Sequence, residues 1–237
     1  MTTSRALFEA GRLNDAIEAL GAELRDNATD LQRRTFLFEM LCFAGKWDRA
    51  DKQLDILAGD DKDKRMGALL YRAALNADRT RHEMFEKLAA ESEAPPVPPG
   101  GTLNGRPFES IEDADPRIGA RLEVLAGDRY MWIPMAHIAR VEMQPPKRLR
   151  DLLWAPAVVQ ANEASAGADL GQVLLPVISP FSCNHADDAV RLGRVTVWEE
   201  SSGGSEIPKG KKMLLVDGEE VPLLELRELE FRQSAAG

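Results

Sequence analysis

A thiol, an imidazole and two carboxylates crowd one short stretch of this chain, as Cys183, His185, Asp187 and Asp188. Sulfur, nitrogen and oxygen donors together would suit zinc or iron, so a metal-dependent hydrolase built on Cys183, His185 and Asp187 is one reading. A nucleophilic thiolate with His185 as its base is another. Closeness in sequence counts against both, because a catalytic cysteine and histidine ordinarily converge from distant segments. The plainer expectation is a polar loop whose Asp187 or Asp188 caps a helical turn beginning near Ala189. Elsewhere the chain lacks phosphate-loop, H-E-x-x-H and G-x-S-x-G patterns, and neither cysteine stands in a C-x-x-C pair. The expectation is no catalytic residue, no bound metal and no cofactor.

The elements that must hold this loop divide into a helical half and a β-rich half. Leu7, Ala10, Leu13, Ile17, Leu20 and Leu24 recur at three- and four-residue steps, the spacing of one buried helical face. The pattern AGRLNDA at 10–16 returns as AGKWDRA at 44–50, and Gly11 to Gly45, Ala16 to Ala50 and Leu20 to Leu54 each span 34 residues. That period is the length of a tetratricopeptide helix-turn-helix unit, a module that stacks into a concave protein-binding surface. A third, weaker copy is expected from a turn at 59–61, a helix over 64–75 and another over 80–90, with Arg79 where the glycine would stand. In this register the inward positions are Gln32, Thr35, Glu39 and Cys42 from the second copy, and Met66, Leu69, Ala73 and Asn76 from the third. Such a set could accept an amphipathic helix of a partner.

Four prolines within 95–99 impose an extended segment, and a Pro/Gly-rich linker is placed over 94–112. Beyond it the period shortens. Two alternating runs at 121–125 and 129–133 flank a glycine turn and read as a hairpin. Further strands are expected near 137–143, 157–160, 172–178, 194–198, 212–216 and 221–231, with a flexible loop at 201–205. The expected fold is α+β in two domains, a tetratricopeptide-like helical superhelix over 1–93 and a β-rich domain over 113–237. A net charge of −9 argues against a broad nucleic-acid surface. Two cysteines far apart, no apolar leader and no long apolar run point to a soluble protein of the reducing cytoplasm.

Several separated blocks of the second half are similar to a known family: DADPRIG at 113–119, RYMWIP at 129–134, PPKRLRDLLW at 145–154, DDAVRLGR at 187–194, GEEVPLLE at 218–225 and ELEF at 228–231. Together they resemble the ImpE/TagJ (SciE-type) family of type VI secretion accessory proteins, whose members also carry a tetratricopeptide-like N-terminal part. The resemblance implies a non-enzymatic role. It implies binding to a helical segment of the small contractile-sheath subunit, and a link to the AAA+ ATPase that disassembles contracted sheaths. It carries over no catalytic residue, and Cys183 lies outside its blocks.

Overall fold

A computed structural model describes residues 3–59, 61–87, 94–162, 170–201 and 204–232. Helices α1 (Ser4–Glu9), α2 (Leu13–Asp26), α3 (Leu31–Phe43) and α4 (Trp47–Ala58) form two hairpins, and the long α5 (Lys62–Lys87) packs on α4. The repeated glycines explain both hairpin turns. Gly11 and Gly45 hold φ of 77° and 64°, the left-handed region that side chains resist. At the end of α3 the Gly45 N–H donates to the Cys42 carbonyl and the Lys46 N–H to the Leu41 carbonyl, which satisfies two carbonyls left free by the helix.

The expected break in the third copy is absent. Residues 76–79 offer neither glycine nor proline, and Ala74, Leu75, Ala77, Asp78, Arg81, His82 and Phe85 are buried along one helix without interruption. Nothing there rewards ending the helix. Residues 88–90 of that expected helix lie outside the described residues, as do 202 and 203 of the expected loop.

The linker is shorter than expected, because β1 (Gly101–Leu103), β2 (Arg106–Phe108) and β3 (Ile111–Asp113) fall inside or at the edge of 94–112. Asn104 and Gly105, with φ of 51° and 77°, make the tight hairpin turn between the first two. The chain continues through β4 (Arg121–Ala126), β5 (Arg129–Pro134), β6 (Ile138–Met143), β7 (Trp154–Ala161), β8 (Gly171–Pro176) and the short α6 (Asp188–Arg191). It ends in β9 (Thr196–Glu200), β10 (Glu206–Gly210), β11 (Met213–Val216), β12 (Glu219–Pro222) and β13 (Glu228–Phe231). An antiparallel eight-stranded sheet runs in the order β2-β1-β13-β6-β7-β8-β4-β5, beside a three-stranded sheet β12-β11-β3 and the β9-β10 pair. The run expected as one strand over 221–231 is two strands of different sheets, separated by a 3-10 turn at Leu223–Glu225.

Strand alternation sends the two faces of the large sheet to different cores. Leu122, Val124, Ala155, Ala157, Val159 and Leu175 pack with Leu214, Leu223 and Leu229 into a β core. On the opposite face, Leu125 and Trp154 join Leu153 and Leu192 in the core of the helices, with Leu20, Leu37, Leu41 and Leu75. The helices therefore do not own a separate core. The sheet supplies part of it, and the helical core and the β core lie on opposite faces of the large sheet.

Candidate functional site

The loop carrying Cys183, His185, Asp187 and Asp188 is a joint between the two halves. Asp187 accepts the Ala189 N–H at 2.8 Å and caps α6, as expected. Asp188 does something the sequence did not show: its Oδ2 accepts the Leu13 N–H at 2.7 Å, at the start of α2. That helix has no side-chain cap of its own at Arg12, so a carboxylate 175 residues away satisfies one of its free N–H groups. The His185 Nδ1 accepts the Asp187 N–H at 2.9 Å. Cys183 turns instead towards Gly45, and burial pushes its thiol up to about 11, so it is not a thiolate at neutral pH. The three donors do not converge. Among the described residues no three His, Cys, Asp or Glu side chains stand together as an ion site, and the metal-hydrolase reading loses its geometric basis.

Other contacts fasten the joint from both ends. Arg194 lies across the end of α1, donating to the carbonyls of Phe8 at 2.7 Å and Glu9 at 3.0 Å. His82 of α5 sits between the rings of Trp47 and Phe181. Its Nδ1 meets the Asp78 carbonyl at 2.8 Å, so that nitrogen carries the proton, and Nε2 accepts the Phe181 N–H at 3.3 Å. Burial holds its pKa below the ordinary value of 6.5, against the pull of Asp78. The neutral ring therefore contributes stability above pH 6.5 that is lost as pH falls through 6.5 towards the depressed folded value. Urea unfolding of His82→Gln, whose side chain can still accept the Phe181 N–H, should show a flatter loss of stability between pH 7 and 5 than the parent. An unchanged slope would assign that loss to other groups.

At the centre of the joint lies a cluster of buried charges. Arg81 Nε and Nη2 grip Glu123 at 2.7 and 2.9 Å, Lys212 Nζ reaches the same carboxylate at 2.5 Å, and the Tyr130 hydroxyl donates to it at 2.5 Å. Lys212 also contacts Asp113 at 2.5 Å, and the Trp132 indole N–H donates to Tyr130. Burial alone would raise the Glu123 carboxyl, but Arg81 and Lys212 outweigh it and hold it well below the usual range. Burial pushes Asp113 up to about 7 against the pull of Lys212. The signal in the sequence was a charge at the centre of the apolar run 122–125.

The eight positions expected to line a concave groove are not gathered on one open face. Glu39 is buried against Arg150 at 3.2 Å, and burial raises its carboxyl despite that partner. Cys42 is buried in the shared core beside Leu153 and Trp154. The chain's own second half therefore covers that part of the face. Gln32 is exposed beside Arg33 and Phe36, and the half-buried Thr35 returns its hydroxyl to the Leu31 carbonyl at 2.9 Å. Asn76 is exposed and Ala73 half-buried. Met66 and Leu69 stay open, at 62% and 58% exposure, with Leu70 beside them at 55%. Leu70 borders a cleft of about 410 Å³ between α5 and the sheet, floored by Leu125, Trp154, Pro156, Val158 and Leu174.

The helical array is fused by its core to an antiparallel sheet, and an apolar cleft opens between them at Leu70. The chain belongs to the ImpE family: the ImpE protein model matches residues 105–230. It is 32% identical to the type VI secretion system accessory component TagJ of Pseudomonas aeruginosa, over 97% of this chain and 91% of that protein. The crystal structure of protein VPA1032 from Vibrio parahaemolyticus has the same fold, with a TM-score of 0.85 and 22% identity over 98% of each chain. Among the described residues no helix is long and apolar enough to cross a membrane.

Proposed function

We propose that this protein is a non-enzymatic adaptor of a type VI secretion system, acting in the cytoplasm. In this reading it holds a helical segment of the small contractile-sheath subunit and works alongside the AAA+ ATPase that recycles the sheath. Kinship with TagJ supports the secretion context. The observation that carries the binding mode is the stripe Met66, Leu69 and Leu70, left exposed on a helix whose other side is deeply buried. An apolar stripe beside a groove is how amphipathic helices are captured. Of the eight positions expected on a tetratricopeptide-type concave face, this reading keeps Met66 and Leu69 and adds Leu70 at the cleft.

The test is direct binding of the purified small sheath subunit to the purified protein. The double variant Leu69→Asp/Leu70→Asp should weaken it by about a hundredfold, since two central apolar contacts are each worth roughly 1–3 kcal/mol. Both positions are exposed, so thermal unfolding should be unchanged. Absence of binding by the parent protein would defeat the sheath assignment, and undiminished binding by the variant would defeat the cleft.

A further inference from the structure

Three buried polar atoms without a hydrogen-bond partner among the described residues belong to side chains that border one cavity at the joint: the Trp47 indole nitrogen, the Ser179 hydroxyl and the Arg191 Nε. Ser179 is 2% exposed and Arg191 7%, so neither can turn to bulk solvent for a partner. Trp47 also borders the open cleft beside Gly45 and Arg79, so Ser179 and Arg191 carry the greater weight. From the helical half, the buried Asp78 of α5 borders the same cavity with a carboxylate that is underused. Arg81 Nη1 stands 3.6 Å from it and His82 Nδ1 4.0 Å, both beyond hydrogen-bonding distance.

We infer that ordered water in this cavity bridges the Asp78 carboxylate of α5 to the Ser179 hydroxyl and the Arg191 Nε of the second half. The cavity measures about 30 Å³. A water needs about 10–15 Å³ of such space and roughly two to four polar partners, so the space and the partners match about one or two molecules. The charges around it favour a neutral ligand over an ion. An anion would face Asp78, and a cation would face Arg81 and Arg191, which Glu123 and Asp188 already hold at 2.7 and 2.6 Å. His82 offers no competing partner, because both of its ring nitrogens are engaged. The bridge fastens α5, the helix that carries Met66, Leu69 and Leu70, to the second half in addition to the Glu123 cluster.

Crystals of the whole protein grown with sodium bromide test this. The expected result is water density within hydrogen-bonding distance of Ser179 Oγ, Arg191 Nε and the Asp78 carboxylate, with no anomalous bromide signal. No density, or bromide in the cavity, would overturn the inference, the second outcome making it an anion site. In solution, the side chain of Ile178, which also borders the cavity, should show a nuclear Overhauser effect to water with the sign of a long-lived internal molecule. Ser179→Ala breaks no side-chain hydrogen bond within the protein and leaves Asp78 and Arg191 in place. The signal should therefore persist in that variant. Its absence from the parent protein, or its loss in Ser179→Ala, which would trace it to the hydroxyl proton, would each count against bridging water.

Discussion

Replacing Glu123 by alanine should lower the unfolding free energy by about 3–5 kcal/mol, the range seen when one partner of a buried ion pair is removed. Its carboxylate receives two Arg81 nitrogens, Lys212 and the Tyr130 hydroxyl, and its side chain is wholly buried. Without it, Arg81 retains Asp78 at 3.6 Å and the Ile178 carbonyl at 3.0 Å, and Lys212 retains Asp113. Two cations fixed in a buried interior would then share a poorer set of partners. Asp113 should respond in a defined direction. Relieved of the neighbouring negative charge, its carboxyl should fall from its raised value and stay ionised against Lys212. Urea denaturation measures the stability and carboxyl NMR titration the second effect. A loss below about 1 kcal/mol would mean that the cluster behaves like a surface pair.

The second large effect is expected at Gly45. An alanine there must hold φ near 64° and would place its Cβ 2.8 Å from the Cys183 sulfur and 3.1 Å from the Cys183 Cβ. The backbone conformation costs roughly 1–2 kcal/mol and the overpacking a further 1–3 kcal/mol. These two parts can be separated. Cys183→Ala removes the closest contact but not the unfavourable φ, so the double variant should recover part of the loss and no more. Gly11→Ala is the internal comparison: its φ is 77°, but its Cβ would meet only the end of the Arg194 side chain at 3.3 Å. It should cost less. Equal losses at both glycines would show that turn geometry alone decides, and that the approach of the second half to Gly45 is immaterial.

The paired glycines were legible in the sequence because a left-handed turn admits few other residues, and the hairpin at 121–134 because alternation and a glycine turn coincide. Asn104 and Gly105 carried an equally good turn signal, masked by the prolines just before them. The helix break expected near Arg79 rests on repeat register, a rule about neighbours, whereas the buried face that runs through Ala74, Asp78, Arg81 and Phe85 is decided by what packs on the helix. The same limit governs the site. Asp187 caps its own helix and could be read locally. That Asp188 caps α2, that Arg150 closes over Glu39, and that Glu123 faces Arg81 are consequences of tertiary packing, which local spacing does not encode.

The Asp188 and Arg194 contacts also have a temporal side. A ribosome adding about 5–20 residues per second exposes Leu13 early, and the carboxylate that caps it lies 175 positions later. The carbonyls of Phe8 and Glu9 wait 186 and 185 positions for the guanidinium that closes them. For roughly 10–35 seconds the nascent first hairpin thus has an uncapped helix and an apolar side without its cover. A chaperone that protects emerging apolar helices would find its window there, and a truncation before α6 should leave the helical half soluble only while such a holder is bound.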